Sequence, residues 1–272
     1  MGIDKELSQY YFDLADKIKA TCSGQALGCF LNSAFITGGV FSSLYHGTPV
    51  NDVDIYFDDA KSAYQVMCAL FSPMDQPFRT VDTMYPELKA LAKGKIATRH
   101  RWLTIVSSTP NAVTFTTSNG VKYQFILKFI GAEQRVLEAF DFEHCRISWR
   151  PKPIASEFSL KRGFITYYGA SKLAMHEKRL IFNSSAHAPF AALLRLVKFL
   201  DKGYTVEPTS LLKISMAVSK VNWTNLEEAR EQIMPFYKYA VINLDKALSY
   251  CSVDGTIDTQ KLINLITEVE NE

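Results

Sequence analysis

The chain has 272 residues, and several things are scarce in it. Only five cysteines occur, Cys22, Cys29, Cys68, Cys145 and Cys251, scattered and odd in number. No pair has the spacing of a metal knuckle or a redox motif, and the sequence holds no His/Cys cluster. A disulfide framework and a zinc module are therefore excluded, and a reducing, intracellular setting is expected. Charge of one sign is also lacking. Thirty basic residues against 28 acidic ones leave a formal net charge of +2. That is too little for a protein that coats nucleic acid over its whole surface, so any basic function must be local. Long apolar runs are missing too. The longest, from Ala26 to Phe41, is broken by Gly28, Asn32, Thr37, Gly38 and Gly39. It is too short and too polar to span a bilayer, and Met1-Gly2-Ile3-Asp4-Lys5-Glu6 carries no apolar signal core. A cytoplasmic protein without membrane attachment is expected. Internal repeats and low-complexity tracts are likewise missing.

What is present is globular composition, 47% hydrophobic and 21% charged, enough for one large domain or two modest ones. The periodicity predicts a helix over Lys5–Ala20, a short strand Ala34–Thr37, a helix Val40–His46 and a strand Val53–Phe57. A helix Ala60–Phe71 follows, with Asp58-Asp59 at its start. Strand composition recurs at Trp102–Val106, Ala112–Thr117 and Val121–Leu127, with Ser118-Asn119-Gly120 as a hairpin turn. A short helix Ala132–Phe140 and a strand near Phe142–Trp149 follow. Pro151, Lys152 and Pro153 mark a boundary. Beyond it, helices are expected at Ala155–Tyr167, Pro189–Lys202, Pro208–Ser219, Asn225–Ser249 and Thr259–Glu270. The fold class is α+β: a mixed β-sheet with flanking helices over residues 1–150, then an α-helical domain over 151–272.

One constellation carries chemistry. Ile36-Thr37-Gly38-Gly39 is followed, after residues 40–51, by Asp52-Val53-Asp54-Ile55. Alternation along a strand puts the two carboxylates on one face, about 7 Å apart along the chain, while Val53 and Ile55 anchor the other face. A Gly-Gly turn lets backbone N–H groups approach a ligand, and the helix after it aims its positive end at an anion. Ser42 and Ser43, in the first turn, are candidate phosphate contacts. A carboxylate pair facing a phosphate cradle suits metal-dependent phosphoryl transfer. The plain alternative is a tight turn beside an edge strand with solvated acids.

With these residues the chain resembles the nucleotidyltransferase superfamily of the DNA polymerase β-type fold. It looks most similar to nucleotidyltransferase-like proteins of bacteriophages, related to the head of tRNA nucleotidyltransferases and poly(A) polymerases. The further counterparts are Tyr123-Gln124-Phe125-Ile126, Phe140-Asp141-Phe142-Glu143-His144-Cys145 and Arg195-Leu196-Val197-Lys198-Phe199. The resemblance covers about residues 30–205. It implies a two-metal mechanism in which Asp52 and Asp54 hold two Mg²⁺ ions, with a third carboxylate from a neighbouring strand. Gln124 is a poor ligand for that place, and Asp141 is the candidate. The implied reaction moves a nucleoside monophosphate from an NTP, ATP or CTP, to an acceptor, first an RNA 3′ end such as that of a tRNA. Modification of a protein or small molecule, and a catalytically degenerate interaction module or antitoxin, stay open beside it.

Residues 161–202 hold eight Lys or Arg against Glu177 and Asp201. Arg195, Lys198 and Lys202 share one helix face, beside an apolar side of Leu193, Leu196, Val197 and Leu200. Arg195 and Lys198 are candidate contacts for a triphosphate tail or a nucleic-acid backbone, or else part of a solvated helix face. His144 reads as a hydrogen-bonded structural histidine.

Overall fold

The structure is a computed structural model. It describes residues 2–71, 96–98, 100–109, 111–152, 162–186 and 188–233, with isolated positions at 249, 258 and 261. The chain divides into two compact units, Met1–Glu138 with Cys145–Lys172, and Ala139–His144 with Leu173–Glu272.

The first unit is built on a sheet with helices packed against it. Helix α1 (Ile3–Thr21) buries Leu7, Tyr11, Leu14 and Ile18, the one-face spacing of an amphipathic helix. Helix α2 (Gly24–Ser33) starts at Ser23, whose side chain accepts from the Ala26 N–H. Sequence reading passed over α2, because its glycines and small residues blur the periodicity. Then come β1 (Ala34–Thr37), α3 (Val40–His46), β2 (Val53–Phe57) and α4 (Ala60–Phe71). Strands β3 (Leu103–Thr109), β4 (Ala112–Thr117) and β5 (Lys122–Ile126) form a meander. Its second turn is closed at Gly120, where φ is +81°. Helix α5 (Glu133–Glu138) leads to a short 3₁₀ turn (Glu143–Cys145), then β6 (Ile147–Pro151) and β7 (Gly163–Tyr167).

The seven strands make one sheet in the order β3-β4-β5-β2-β1-β6-β7. Only β2 and β5 run parallel; the other neighbours are antiparallel. The sheet is thus mixed, as the sequence predicts. One face is apolar: Val53, Ile55, Phe57, Ile36, Phe115, Phe125 and Trp149 are all fully buried. Tyr11 stacks on Phe30 at 4.8 Å and donates its hydroxyl to the Phe30 carbonyl at 2.8 Å.

Two expectations are corrected here. Of the helix expected at Ala155–Tyr167, residues 155–161 lie outside the described residues, and Phe164, Ile165, Thr166 and Tyr167 form a strand instead, pairing with β6. Their β-branched and aromatic side chains suit a pleated surface, and the sheet therefore continues past the boundary expected at residue 150. Gly163 is required there, because a Cβ on it would lie 2.1 Å from Trp149 Cε2. The strand expected near Phe142–Trp149 begins only at Ile147, after the 3₁₀ turn.

The second unit contains α7 (Pro189–Leu200), α8 (Pro208–Val218) and α9 (Leu226–Ile233), with a small parallel pair, β8 (Arg179–Leu180) and β9 (Thr205–Val206). Helix α6 (Ser171–His176) links the two units in sequence. The upstream segment is stitched in by an antiparallel bridge between Phe142 and Phe182. Of the expected helix Asn225–Ser249, residues 234–248 lie outside the described residues, as does nearly all of Thr259–Glu270. Among the described residues, no helix is long and apolar enough to cross a membrane.

Candidate functional site

The antiparallel register of β1 and β2 sets Thr37 opposite Asp54. The chain then turns at Gly38, with φ +91°. A Cβ on Gly38 would stand 2.6 Å from Asp54 Oδ2, inside van der Waals contact. Glycine is needed here for the positive φ and to leave room for the carboxylate. Gly39 opens α3 in right-handed helical geometry, and nothing lies within 4 Å of where its Cβ would be. The open space of the Gly-Gly pair is therefore at Gly39, while Gly38 is filled by Asp54. Helix α3 has only 7 residues, so its dipole is short. It buries Ser43 and leaves Ser42 half-buried. Asp52 lies one residue before β2, half-buried like Asp54.

The face of the sheet that carries Asp54 is polar along one complete row. Successive register pairs connect Ser107 to Thr114, Thr114 to Gln124, Gln124 to Asp54, Asp54 to Thr37, Thr37 to Ser148, and Ser148 to Thr166. Each of the seven strands contributes one hydrogen-bonding side chain. Directly opposed residues share a face, so the row is continuous. Gln124 donates Nε2–H to Thr114 Oγ1 at 2.9 Å. Thr37 donates to the Ile147 carbonyl at 2.6 Å, and Ser148 donates to Glu133. The strand beside Asp54 on the β5 side therefore offers an amide at its level. Among the described residues, no three His, Cys, Asp or Glu side chains stand together as a cation-binding group.

Sequence reading missed an ion-pair cluster in this unit. Arg150 donates from Nη1 and Nη2 to the two oxygens of Asp58 at 2.8 and 2.5 Å, and from Nε to Glu133. Its guanidinium lies 4.4 Å from the centroid of Phe35. Burial acts to lower the Arg150 pKa, but bonding to Asp58 and Glu133 outweighs it and the net shift is upward. Asp59 alone caps α4, accepting from the Ser62 N–H at 2.7 Å.

The remaining candidates lie in the second unit. Asp141 is 4% exposed and accepts from Arg195 Nε. Its carbonyl accepts from the Asn183 N–H at 2.7 Å. The two residues expected as metal ligand and phosphate contact are thus partners of each other. Lys198 is exposed. On the apolar side expected for this helix, Leu196 is buried, whereas Leu193, Val197 and Leu200 are exposed. His144 is buried, its ring edge-on to Phe199 at 4.3 Å and 4.6 Å from Tyr204.

A family model described as "Gabija anti-defense 2 family protein" matches residues 4–178. The chain belongs to the Gabija anti-defense 2 family. It is 26% identical over 216 residues to Gabija anti-defense 2 of Bacillus phage SPbetaL7, covering 79% of this chain and 44% of that protein. The chain therefore spans less than half the length of this curated relative. Solved structures that resemble it include a tRNA-processing enzyme in apo form I (12% identity, TM-score 0.45, 88% of this chain and 57% of that one). Another is a Thermotoga maritima CCA-adding enzyme complexed with tRNA (13% identity, TM-score 0.41, 82% and 50%). A CCA-adding enzyme with CTP resembles it to a similar degree (13%, TM-score 0.43, 83% and 51%).

In this Gabija anti-defense 2 family protein, the matched span includes the whole seven-stranded sheet, Gly38, Gly39, Asp52 and Asp54. It stops before α7, which carries Arg195 and Lys198. The donors on the sheet face are carboxylate, amide and hydroxyl oxygens. Such hard ligands suit Mg²⁺ rather than a thiophilic metal.

Proposed function

We propose that the chain is a metal-dependent nucleotidyltransferase, phage-encoded and working in the host cytoplasm, whose activity counters Gabija defence. The observation that carries this reading is the approach of Gly38 to Asp54. A glycine turn with φ +91° stands where a side chain would collide with Asp54, and it seats one carboxylate of the Asp-x-Asp pair beside open backbone at Gly39. A solvated edge strand has no need of that arrangement. Asp52 and Asp54 are assigned the Mg²⁺ ions. When bound, the metal neutralises charge on the transferred phosphoryl group and activates the attacking group. Gly39, with Ser42 at the start of α3, faces the phosphate tail of ATP or CTP, and Ser43 supports the turn from inside. The acceptor is a component of the Gabija system. The 3′ end of tRNA, expected from the sequence, is the competing acceptor.

The test is transfer of label from α-phosphate-labelled ATP or CTP, with Mg²⁺, to purified Gabija proteins and to total tRNA. Label on a Gabija protein, lost with Asp52→Ala plus Asp54→Ala, supports the reading. Label on tRNA alone supports transfer and rejects the acceptor.

A second reading has its own observation, Gln124 level with Asp54 where a further acid would strengthen cation binding. In this reading the chain is a degenerate module that binds a defence protein without turnover. Infection of a Gabija-carrying host separates the two. Anti-defence retained by the double alanine variant favours the module, and anti-defence lost with the fold intact favours the enzyme.

A further inference from the structure

Asp54 stands between two strands with different offerings. On the β1 side lies the glycine turn with its open backbone at Gly39. On the β5 side lies Gln124. If the phosphate tail occupies the glycine side, as the reading above holds, in-line displacement brings the attacking group in from the opposite side. That side is β5.

Gln124 is half-buried and points to the same face as Asp54. An amide has one donor end and one acceptor end. The donor end is turned to Thr114 Oγ1, which takes one of its two hydrogens at 2.9 Å, from the strand farther out. Among the described residues, no donor reaches Gln124 Oε1. Thr114 is itself 6% exposed and fixed by pairing with both β3 and β5. The amide is thereby oriented with its oxygen available on the polar face.

We infer that Gln124 is the acceptor-side contact of the transfer site, and that Thr114 is its positioning residue. Gln124 Oε1 takes a hydrogen bond from the attacking O–H or N–H group of the acceptor and holds it level with Asp54. A neutral oxygen suits this task, because it orients a protonated nucleophile without adding negative charge against the incoming triphosphate. In the step itself, the acceptor's oxygen or nitrogen bonds to the α-phosphorus. The bond from that phosphorus to the bridging oxygen breaks, pyrophosphate leaves with the electron pair, and the acceptor's proton passes to water. The row thus specifies an acceptor that carries a donor hydrogen on its nucleophile.

This inference rests on the transferase reading, and the experiment separates the two. Transfer from α-phosphate-labelled ATP is measured with whichever of the Gabija proteins or total tRNA the wild type labels, and ATP affinity is measured by direct titration. Gln124→Leu is expected to lower kcat for transfer about 100-fold, the cost of a misplaced reactant, with ATP affinity unchanged. Thr114→Val, which keeps the shape and removes the hydroxyl, is expected to lower kcat about tenfold, the size of one hydrogen bond. Thr114→Ser restores it. Thermal melting of each variant reports the fold. Wild-type kcat in Gln124→Leu overturns the inference, as does equal kcat in Thr114→Val and Thr114→Ser. A loss of ATP affinity that matches the loss of rate moves Gln124 to the nucleotide side and overturns it as well. A wild type that labels nothing overturns the transferase reading and this one together, whereas an active wild type with an active Gln124→Leu overturns this one alone.

Discussion

Asp54 Oδ2 occupies the space that a Cβ on Gly38 would need, 2.6 Å from its ideal position. Gly38→Ala must therefore push the carboxylate aside and also strain the backbone at φ +91°. The strain costs on the order of 1–3 kcal/mol. Transfer activity is expected to fall much further than stability. Labelled-nucleotide transfer beside a urea titration checks this; activity lost only in proportion to the folded fraction would remove Gly38 from the site.

Arg150 joins Asp58 to Glu133 and stacks on Phe35. With side chains 18%, 32% and 13% exposed for Arg150, Asp58 and Glu133, the cluster is only partly screened by water. Arg150→Ala leaves two acids without their cation and is expected to cost about 2 kcal/mol, below the ~3–5 kcal/mol of a fully buried pair. Chemical denaturation measures it. Arg150→Lys should recover only part, because one ammonium cannot serve both acids in the planar fork.

Asp141 is expected to act first as the partner of Arg195. Asp141→Asn and Arg195→Ala should each destabilise the fold, and the double variant should lose less than their sum, with a coupling of about 1 kcal/mol or more. Asp141→Asn that keeps full stability yet abolishes transfer would instead return this residue to the metal.

Tyr11 lies wholly inside the core, and burial pushes its phenol pKa up; Tyr123 is raised for the same first reason, with the Asp13 charge adding to it. Both groups hold their protons more tightly folded than unfolded, where the value is about 10. Their contribution is thus present below pH 10 and is lost as pH rises above it. Alkaline unfolding is expected, with these phenols ionising together with loss of structure in a 295 nm titration. Tyr11→Phe should make the fold less sensitive to alkali, while losing the bond to the Phe30 carbonyl.

The strand, glycine turn, helix and Asp-x-Asp strand were legible because every link in them is local. Residues 34–57 set their own periodicity and turn, and the structure has each element there. The hairpin at Gly120 was legible for the same reason. The Arg150 cluster was not, since its partners lie 92 and 17 residues away and only sheet register brings them together. The polar row across seven strands is invisible in sequence for that reason too. Asp58-Asp59 looked like one cap and proved to be one cap and one ion-pair partner. Strand β7 was misread because its neighbour β6, rather than its own composition alone, decides its state. The pairing of Asp141 with Arg195 joins positions 54 residues apart, beyond any local pattern.

The second unit borrows the stretch 139–144 from upstream of the last two sheet strands. A recombinant fragment that starts at residue 151 would be born without Phe142 and His144, the rings that fill its centre, and without the carboxylate that Arg195 grips. Such a fragment is an incomplete jigsaw. Any excised version of the helical half has to be circularly rearranged, with the 139–144 ribbon spliced back in, before its behaviour says anything about the intact chain.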